Sequence, residues 1–160
     1  MSGVAIIRRA TAGDLPTMGQ LGAELVRVHH AFDRERFIPD TAATAQGYGH
    51  YLGTQVAKTG SVVLVATIGD DVVGYAWADV EGFDYMALRG PAGVLYDIVV
   101  ADAKRGLGIG QALLDATLSA LSANGAPRAV LSTAARNVAA QRFFARNGFR
   151  ETMIEMTREL

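Results

Sequence analysis

A mixed α/β sheet, with strands grouped early and strand–helix crossovers late, is the fold class this sequence predicts. Three observations carry it. From Ser61 onward the chain changes texture to short β-branched runs, and the turn Gly69-Asp70-Asp71 separates Val62 to Thr67 from Val72 to Asp79 as an antiparallel hairpin. The buried-looking run Val94 to Val100 then enters a basic, glycine-rich turn that opens directly into an amphipathic helix over Ile109 to Ala123. Strand and helix alternate once more after that, which is the pattern of crossovers onto a sheet.

Composition agrees with a compact domain. The chain has 160 residues, a length that suits one domain spanning 1–160 with its own core. Half of its residues are apolar and 19% are charged, which argues against disorder. With 15 basic and 16 acidic residues the net charge is −1, so no general attraction to nucleic acid or to an anionic membrane is expected and any basic site must be local. The absence of cysteine excludes disulfides, thiolate metal ligation and an acyl-cysteine intermediate, and no metal site is expected. Met1 to Arg9 carries its charges after a short apolar run rather than before it, so it reads as neither signal peptide nor membrane span, and a cytoplasmic location is the expectation.

Taken in order, Val4 to Arg9 reads as a first strand. Thr11-x-x-Asp14 is a capping pattern with Pro16 inside the first turn, predicting a helix over Ala12 to His30. Leu15, Met18, Leu21, Leu25 and Val28 give that helix one apolar face. Asp40 is a candidate cap for a second helix reaching Lys58, weakened by Gly47, Gly49 and Gly53. A third strand of the hairpin region is expected to end near Met86, followed by Val94 to Val100. Asn124-Gly125 stops the Ile109–Ala123 helix. Ala129 to Thr133 is the next strand, Asn137 to Arg146 the next helix and Phe149 to Thr157 the last strand.

The glycine-rich turn Arg105-Gly106-Leu107-Gly108-Ile109-Gly110 reads as a phosphate cradle. Glycines allow close approach of a ligand to the backbone, and free N–H groups at a helix start attract anions. A P-loop needs Lys-Ser or Lys-Thr after its last glycine, and none follows Gly110. A dinucleotide fingerprint needs Gly-x-Gly-x-x-Gly with an acid about 20 residues further on, and neither requirement is met. Arg-x-x-Gly-x-Gly remains, satisfied by Arg105, Gly108 and Gly110. Together with Asn137-x-x-Ala140-x-x-x-Phe144-x-x-x-Gly148-Phe149 at the expected separation, this pattern resembles the two signatures of the GNAT superfamily of N-acetyltransferases. The specific resemblance covers Val62 to Phe149; the first 60 residues match in general layout.

The resemblance implies a central, mostly antiparallel sheet splayed between its fourth and fifth strands and flanked by about four helices. It implies acetyl-coenzyme A as cofactor, inserted into the splay. Ile98, Val99 and Val100 would offer backbone groups to the pantetheine, Arg105, Gly106, Leu107, Gly108, Ile109 and Gly110 would cap the pyrophosphate, and Asn137, Ala140, Phe143 and Phe144 would contact the pantetheine arm. The implied reaction is direct transfer of acetyl to a primary amine of a small molecule or peptide; homodimerisation is a habit of the family. A non-catalytic acyl-coenzyme A-binding sensor or interaction module is the alternative.

In two places the sequence departs from the family. Tyr96 stands where the family has a glutamate base, and Phe144 where it has a tyrosine acid. Asp97 is then the leading base candidate, set against a purely structural carboxylate. Side chains alternate along a strand, so Asp97 takes over from residue 96 only if a bulge re-aims it. Tyr96 is the candidate acid, set against a packed strand aromatic. For the acceptor pocket the layout implies His29, His30, Asp33, Phe37, Glu81 and Tyr85, with Glu35, Tyr48, Tyr51 and Asp84 nearby. Acids among them would hold a cationic amine, and His29 would serve as a water-mediated base near neutral pH. Solvated charge and helix-end histidines are the competing readings.

Overall fold

The computed structural model describes residues 3–160, so the part of the N-terminal reading that involves Met1 and Ser2 lies outside the described residues. Five strands lie side by side in chain order: β1 (Ile6–Arg9), β2 (Val62–Ile68), β3 (Asp71–Glu81), β4 (Ala92–Val100) and β5 (Ala129–Leu131). The first three pairings are antiparallel and β4–β5 is parallel. Helices α1 (Leu15–Phe32) and α2 (Thr44–Ala57) precede β2, α3 (Ile109–Ala123) links β4 to β5, and α4 (Val138–Arg146) follows β5. The mixed sheet with four helices matches the expected class.

Alternation along the strands divides the core in two. Val63, Val65, Tyr75, Trp77 and Val99 face Met18, Leu21 and Leu52 of α1 and α2. Val62, Leu64, Ala66, Ala76, Ala78 and Leu95 face Ile109, Leu113, Leu114 and Leu121 of α3 and Phe144 of α4. Period-two patterning in the strands thus feeds two helical layers with their own apolar stripes.

The start of α1 follows the sequence closely. A single 3₁₀ turn, Ala12–Asp14, leads into it, and the Thr11 N–H and hydroxyl both donate to Asp14 Oδ2 (2.7 and 3.0 Å). Arg8 adds a two-pronged contact, Nη1 to Oδ2 and Nη2 to Oδ1, each 2.8 Å. That guanidinium holds the Asp14 carboxyl down at about 2. A lowered folded-state value stabilises the fold above the ordinary carboxylate pKa, and this contribution is lost as pH falls through about 2.

Helix α2 forms despite its glycines, and its close packing against α1 requires one of them, Gly49, opposite Gly19 and Gly22 of α1. A Cβ on Gly19 would sit 2.3 Å from the carbonyl oxygen of Ala45, and one on Gly49 would sit 2.9 Å from that of Leu15. A Cβ on Gly22 would lie 2.3 Å from the Tyr48 ring. The two helices meet backbone to backbone, and this contact offsets the poor helix propensity of glycine. Asp40 does not cap α2: its carboxylate takes a hydrogen bond from Arg27 Nη1 (2.6 Å), while the Thr41 N–H bonds Thr44 Oγ1 (2.8 Å).

Three strand boundaries depart from expectation. β3 ends at Glu81, and no strand runs on to Met86. Instead Asp84 and Arg89 exchange two backbone hydrogen bonds (3.0 Å each), Asp84 Oδ1 accepts from the Met86 and Ala87 N–H groups, and Arg89 pairs with Glu81. β5 stops at Leu131 rather than Thr133, because β4 diverges from it there. The expected last strand, Phe149 to Thr157, is not formed: a strand exists by pairing, and no described strand lies against this segment. Residues 151–160 are exposed, Met153, Ile154 and Met156 among them, and Glu155 bonds Arg36.

Gly19→Ala is expected to destabilise the protein by about 2 kcal/mol through forced separation of α1 and α2. Urea unfolding checks this, and an unchanged midpoint would contradict the backbone contact.

Candidate active site

The parting of β4 from β5 creates the site. The two strands pair only over Gly93–Leu95 and Ala129–Leu131. Beyond Leu95, β4 keeps β3 on one side and has an open edge on the other. The register with β3 slips at the same point: Trp77 faces Asp97 and Ala78 faces Leu95, leaving Tyr96 as an extra residue. This is a β-bulge, and it reverses the parity of the strand. Leu95 packs in the α3 layer, whereas Asp97 and Val99 lie on the α1–α2 side. The re-aiming that Asp97 needed in order to take the place of residue 96 is therefore present.

Asp97 is 7% exposed, and its Oδ2 accepts hydrogen bonds from the hydroxyls of Tyr48 (2.6 Å) and Tyr75 (2.9 Å). Burial pushes its carboxyl up from the ordinary range; the two phenols and the nearby His29 pull the other way without cancelling it. Burial, and then the Asp97 charge, raise both phenols, which keeps them protonated and able to donate. Oδ1 has no partner among the described residues, and Asp97 lines a cavity of about 890 Å³. Tyr96 lines it too, 40% exposed and stacked on Trp77 with ring centroids 4.4 Å apart.

The open edge of β4 presents a defined set of backbone groups. The Ala101 N–H donates to the Val73 carbonyl (2.8 Å). Hydrogen-bonded pairs alternate along an antiparallel ladder, so Val99 and Asp97 turn their groups to β3, and Ile98 and Val100 turn theirs outward. The cradle follows at once. Gly106 and Gly108 have φ of 76° and 77°, a left-handed backbone that favours glycine. A Cβ at either position would meet nothing within 4 Å, so the space over this turn is open. Gly108 is the N-cap of α3, whose first N–H groups carry the positive end of the helix dipole. Lys104 and Arg105 line the same end of the cavity. An open strand edge running into an anion cradle fits a long amide-bearing ligand that ends in phosphates.

Comparison with known proteins gives the same answer. The family model described as the acetyltransferase (GNAT) family matches residues 25–149. The chain belongs to that family. Among solved structures of GNAT-like fold, a transcriptional regulator from Bacillus halodurans is 22% identical, with 98% of this chain and 100% of that one covered and a TM-score of 0.77. Aminoglycoside N-acetyltransferase AAC(6')-Iy, solved with coenzyme A, is 18% identical, with 100% and 97% covered and a TM-score of 0.76. An aminoglycoside acetyltransferase from an uncultured soil sample, in complex with trehalose, is 23% identical, with 98% and 96% covered and a TM-score of 0.66. At these identities the likeness concerns the fold. No curated protein matches the chain by sequence.

The GNAT cradle collects most of the residues the sequence assigned to a cofactor. Ile98, Val99, Val100, Arg105, Gly106, Gly108, Ile109, Gly110, Asn137, Ala140, Phe143 and Phe144 all line the cavity. Leu107 does not; its side chain points to solvent, 56% exposed. Asn137 Oδ1 caps α4 by accepting from the Ala140 N–H (3.1 Å), which leaves its amide NH₂ for a ligand. Phe144 is also a core residue, edge-on to Phe149.

The acceptor candidates divide. His29 and Phe37 line the cavity with ring centroids 5.1 Å apart. His30 turns away, its Nδ1 bonded to the Phe37 carbonyl (2.8 Å). Asp33 is occupied by the N–H groups of Glu35 and Arg36, Glu81 is paired with Arg89, and Tyr85 stands 80% exposed on the Asp84–Arg89 loop; none of the three reaches the cavity. The general layout of the family brought these residues forward, and their local partners hold them elsewhere. Tyr75 and Glu24 were missed. Tyr75 carried a signal: a tyrosine inside an apolar strand must find a partner for its hydroxyl. Glu24 carried none, being one polar residue on the flank of an amphipathic helix.

Among the described residues no helix is long and apolar enough to cross a membrane, and no cluster of His, Asp and Glu could hold a metal ion.

The cradle glycines are not equivalent. Gly108→Ala is expected to cost about 1 kcal/mol because its backbone is left-handed. Gly110→Ala meets only ordinary contacts, Val100 at 3.8 Å and Phe143 at 4.0 Å, and should leave stability within about 0.5 kcal/mol of the parent. Thermal unfolding of the two variants side by side checks the contrast.

Proposed function

We propose that this GNAT protein is an acetyl-coenzyme A-dependent N-acetyltransferase that acts on a primary amine of a small molecule or peptide. The observation that carries this reading is the bulge, which turns the Asp97 carboxylate toward the cavity beside the open β4 edge. The outward groups of Ile98 and Val100 are suited to the pantetheine amides, the cradle from Arg105 to Gly110 to the pyrophosphate, and the Asn137 amide to a pantetheine carbonyl. Bound there, acetyl-coenzyme A would supply an activated thioester, its acyl carbon open to the amine nitrogen and its thiolate the leaving group that carries away the C–S electron pair.

The residues of this chain manage the protons. A primary amine is mostly ammonium at neutral pH and must lose a proton before attack. Asp97 Oδ1, raised by burial and free of protein partners, is the acceptor for that proton. Tyr48 and Tyr75 stabilise the ionised form that does the accepting. Tyr96, whose ring lines the cavity, donates to the departing thiolate and recovers a proton, through water, from the nitrogen of the adduct, which becomes the amide. With a thiol pKa of about 8.5 that group needs little help, so the absence of a hydroxyl at Phe144 is tolerable.

The expected result is thiol release from acetyl-coenzyme A in the presence of amines, reduced about 100-fold by Asp97→Asn with coenzyme A affinity retained. Tyr48→Phe removes a bond that favours the carboxylate, so the Asp97 pKa rises and the acid limb of the pH–rate profile moves up by about one pH unit. An unmoved limb would take the base role from Asp97. Coenzyme A binding without thiol release across a broad amine panel would favour the non-catalytic module.

A homodimer completes the proposal. Its support is the exposed segment 151–160, which has a strand-like sequence, and the free outer edge of β5 in the same chain. Two copies exchanging these segments would bury Met153, Ile154 and Met156. Light scattering is expected to give a dimer for the parent and a monomer for Ile154→Arg with Met156→Arg; a parent that stays monomeric at micromolar concentration would remove this part.

A further inference from the structure

We propose that the acceptor is a monoamine whose amino group is carried on an apolar, ring-sized body, and that polycations are poor acceptors. This inference rests on the transferase reading and concerns the chamber on the α1 side of Asp97. Its walls are Leu25, Val28, Phe32, Phe37 and Ile38, with the ring of Tyr96 at the β4 end. His29 stands between Phe32 and Phe37, edge-on to both at 6.0 and 5.1 Å. Its Nδ1 lies 2.8 Å from the Leu25 carbonyl. A carbonyl can only accept, so Nδ1 carries a proton and Nε2 is the ring nitrogen turned away from the backbone.

Negative charge in this cavity is scarce. Glu24 and Asp97 are the only carboxylates among its lining residues, and Asp97 has one free oxygen. The other acids that could have met a cationic ligand are held elsewhere. Asp33 is bound to turn N–H groups, and Glu81 and Asp84 neutralise Arg89 on a loop outside the cavity. Glu155 is bonded to Arg36. A molecule with three or more ammonium groups would leave at least one of them without a carboxylate in the lining, a penalty where that group is also desolvated. One ammonium has a place at Asp97, and an apolar body has five aliphatic and aromatic walls. Aminoglycoside acetylation, the activity named for two proteins of similar fold, is therefore not expected of this chamber.

The test measures thiol release from acetyl-coenzyme A with 2-phenylethylamine, ethylamine, spermidine and kanamycin as acceptors. The expected kcat/KM for 2-phenylethylamine exceeds each of the other three by at least about tenfold. Phe37→Ala should lower that value about tenfold, mainly through KM, with coenzyme A affinity measured by calorimetry unchanged. Preference for spermidine or kanamycin overturns the acceptor class and leaves the transferase reading intact. Parity between ethylamine and 2-phenylethylamine also overturns it. Thiol release with none of the four, with coenzyme A still bound, overturns the acceptor class; the transferase reading falls only if the broad amine and peptide panel is silent as well.

Discussion

The β-bulge at Tyr96 is the constraint on which the site depends. A regular β4 would place Asp97 and Leu95 on the same face, and the carboxylate would then lie among the apolar side chains of α3. With one residue inserted, Leu95 still packs under α3, and Asp97 meets Tyr48 and Tyr75 on the other side. The same residue marks where β4 leaves β5 and its outer edge opens. A single irregularity thus sets where the Asp97 carboxyl points and where β4 leaves its outer edge free.

The surrounding structure keeps that irregularity in place. Tyr48 reaches Asp97 only because α2 lies against α1 at glycine contact distance, and Tyr75 only because β3 carries it into the layer beneath those helices. Buried carboxylates are tolerated when their oxygens are bonded, and here two phenols provide that on one side. Asp97 and Asp14 have opposite effects on stability. Asp14 favours the fold once ionised. Asp97 has a raised folded-state value, so its contribution is full below the ordinary carboxylate pKa and is lost as pH rises through the raised one. Keeping that carboxyl buried beside the cavity costs the protein stability as pH rises through its raised value.

Much of this was legible in the sequence. The helix start at Thr11–Asp14, the hairpin at Gly69, the cradle at Arg105–Gly110 and the cap at Asn137 are local signals, set by residues within a turn of one another. The pairing of Asp97 with Tyr48 joins residues far apart in the chain, and alternation could give only the condition under which Asp97 would matter. Gly49 looked like a weakness of its helix because its reason is a neighbouring helix. Asp33, Glu81 and Tyr85 were misplaced for a similar reason: charge and aromaticity mark a residue as reactive, and its partners decide where it points. The strand expected over Phe149–Thr157 has the composition of a strand, and composition does not supply a neighbour.

Trp77, the sole tryptophan of the chain, has a consequence of its own. It faces Asp97 across the ladder, stacks on Tyr96, meets Tyr51 edge-on at 5.4 Å and keeps a buried indole N–H without a protein partner. The tryptophan fluorescence of the native protein therefore originates from one indole packed behind the Tyr96 ring that lines the cavity. Ionisation of Asp97 and displacement of Tyr96 would each alter the field around that indole. The fold has in effect placed an optical probe against the Asp97 cluster, with no label required.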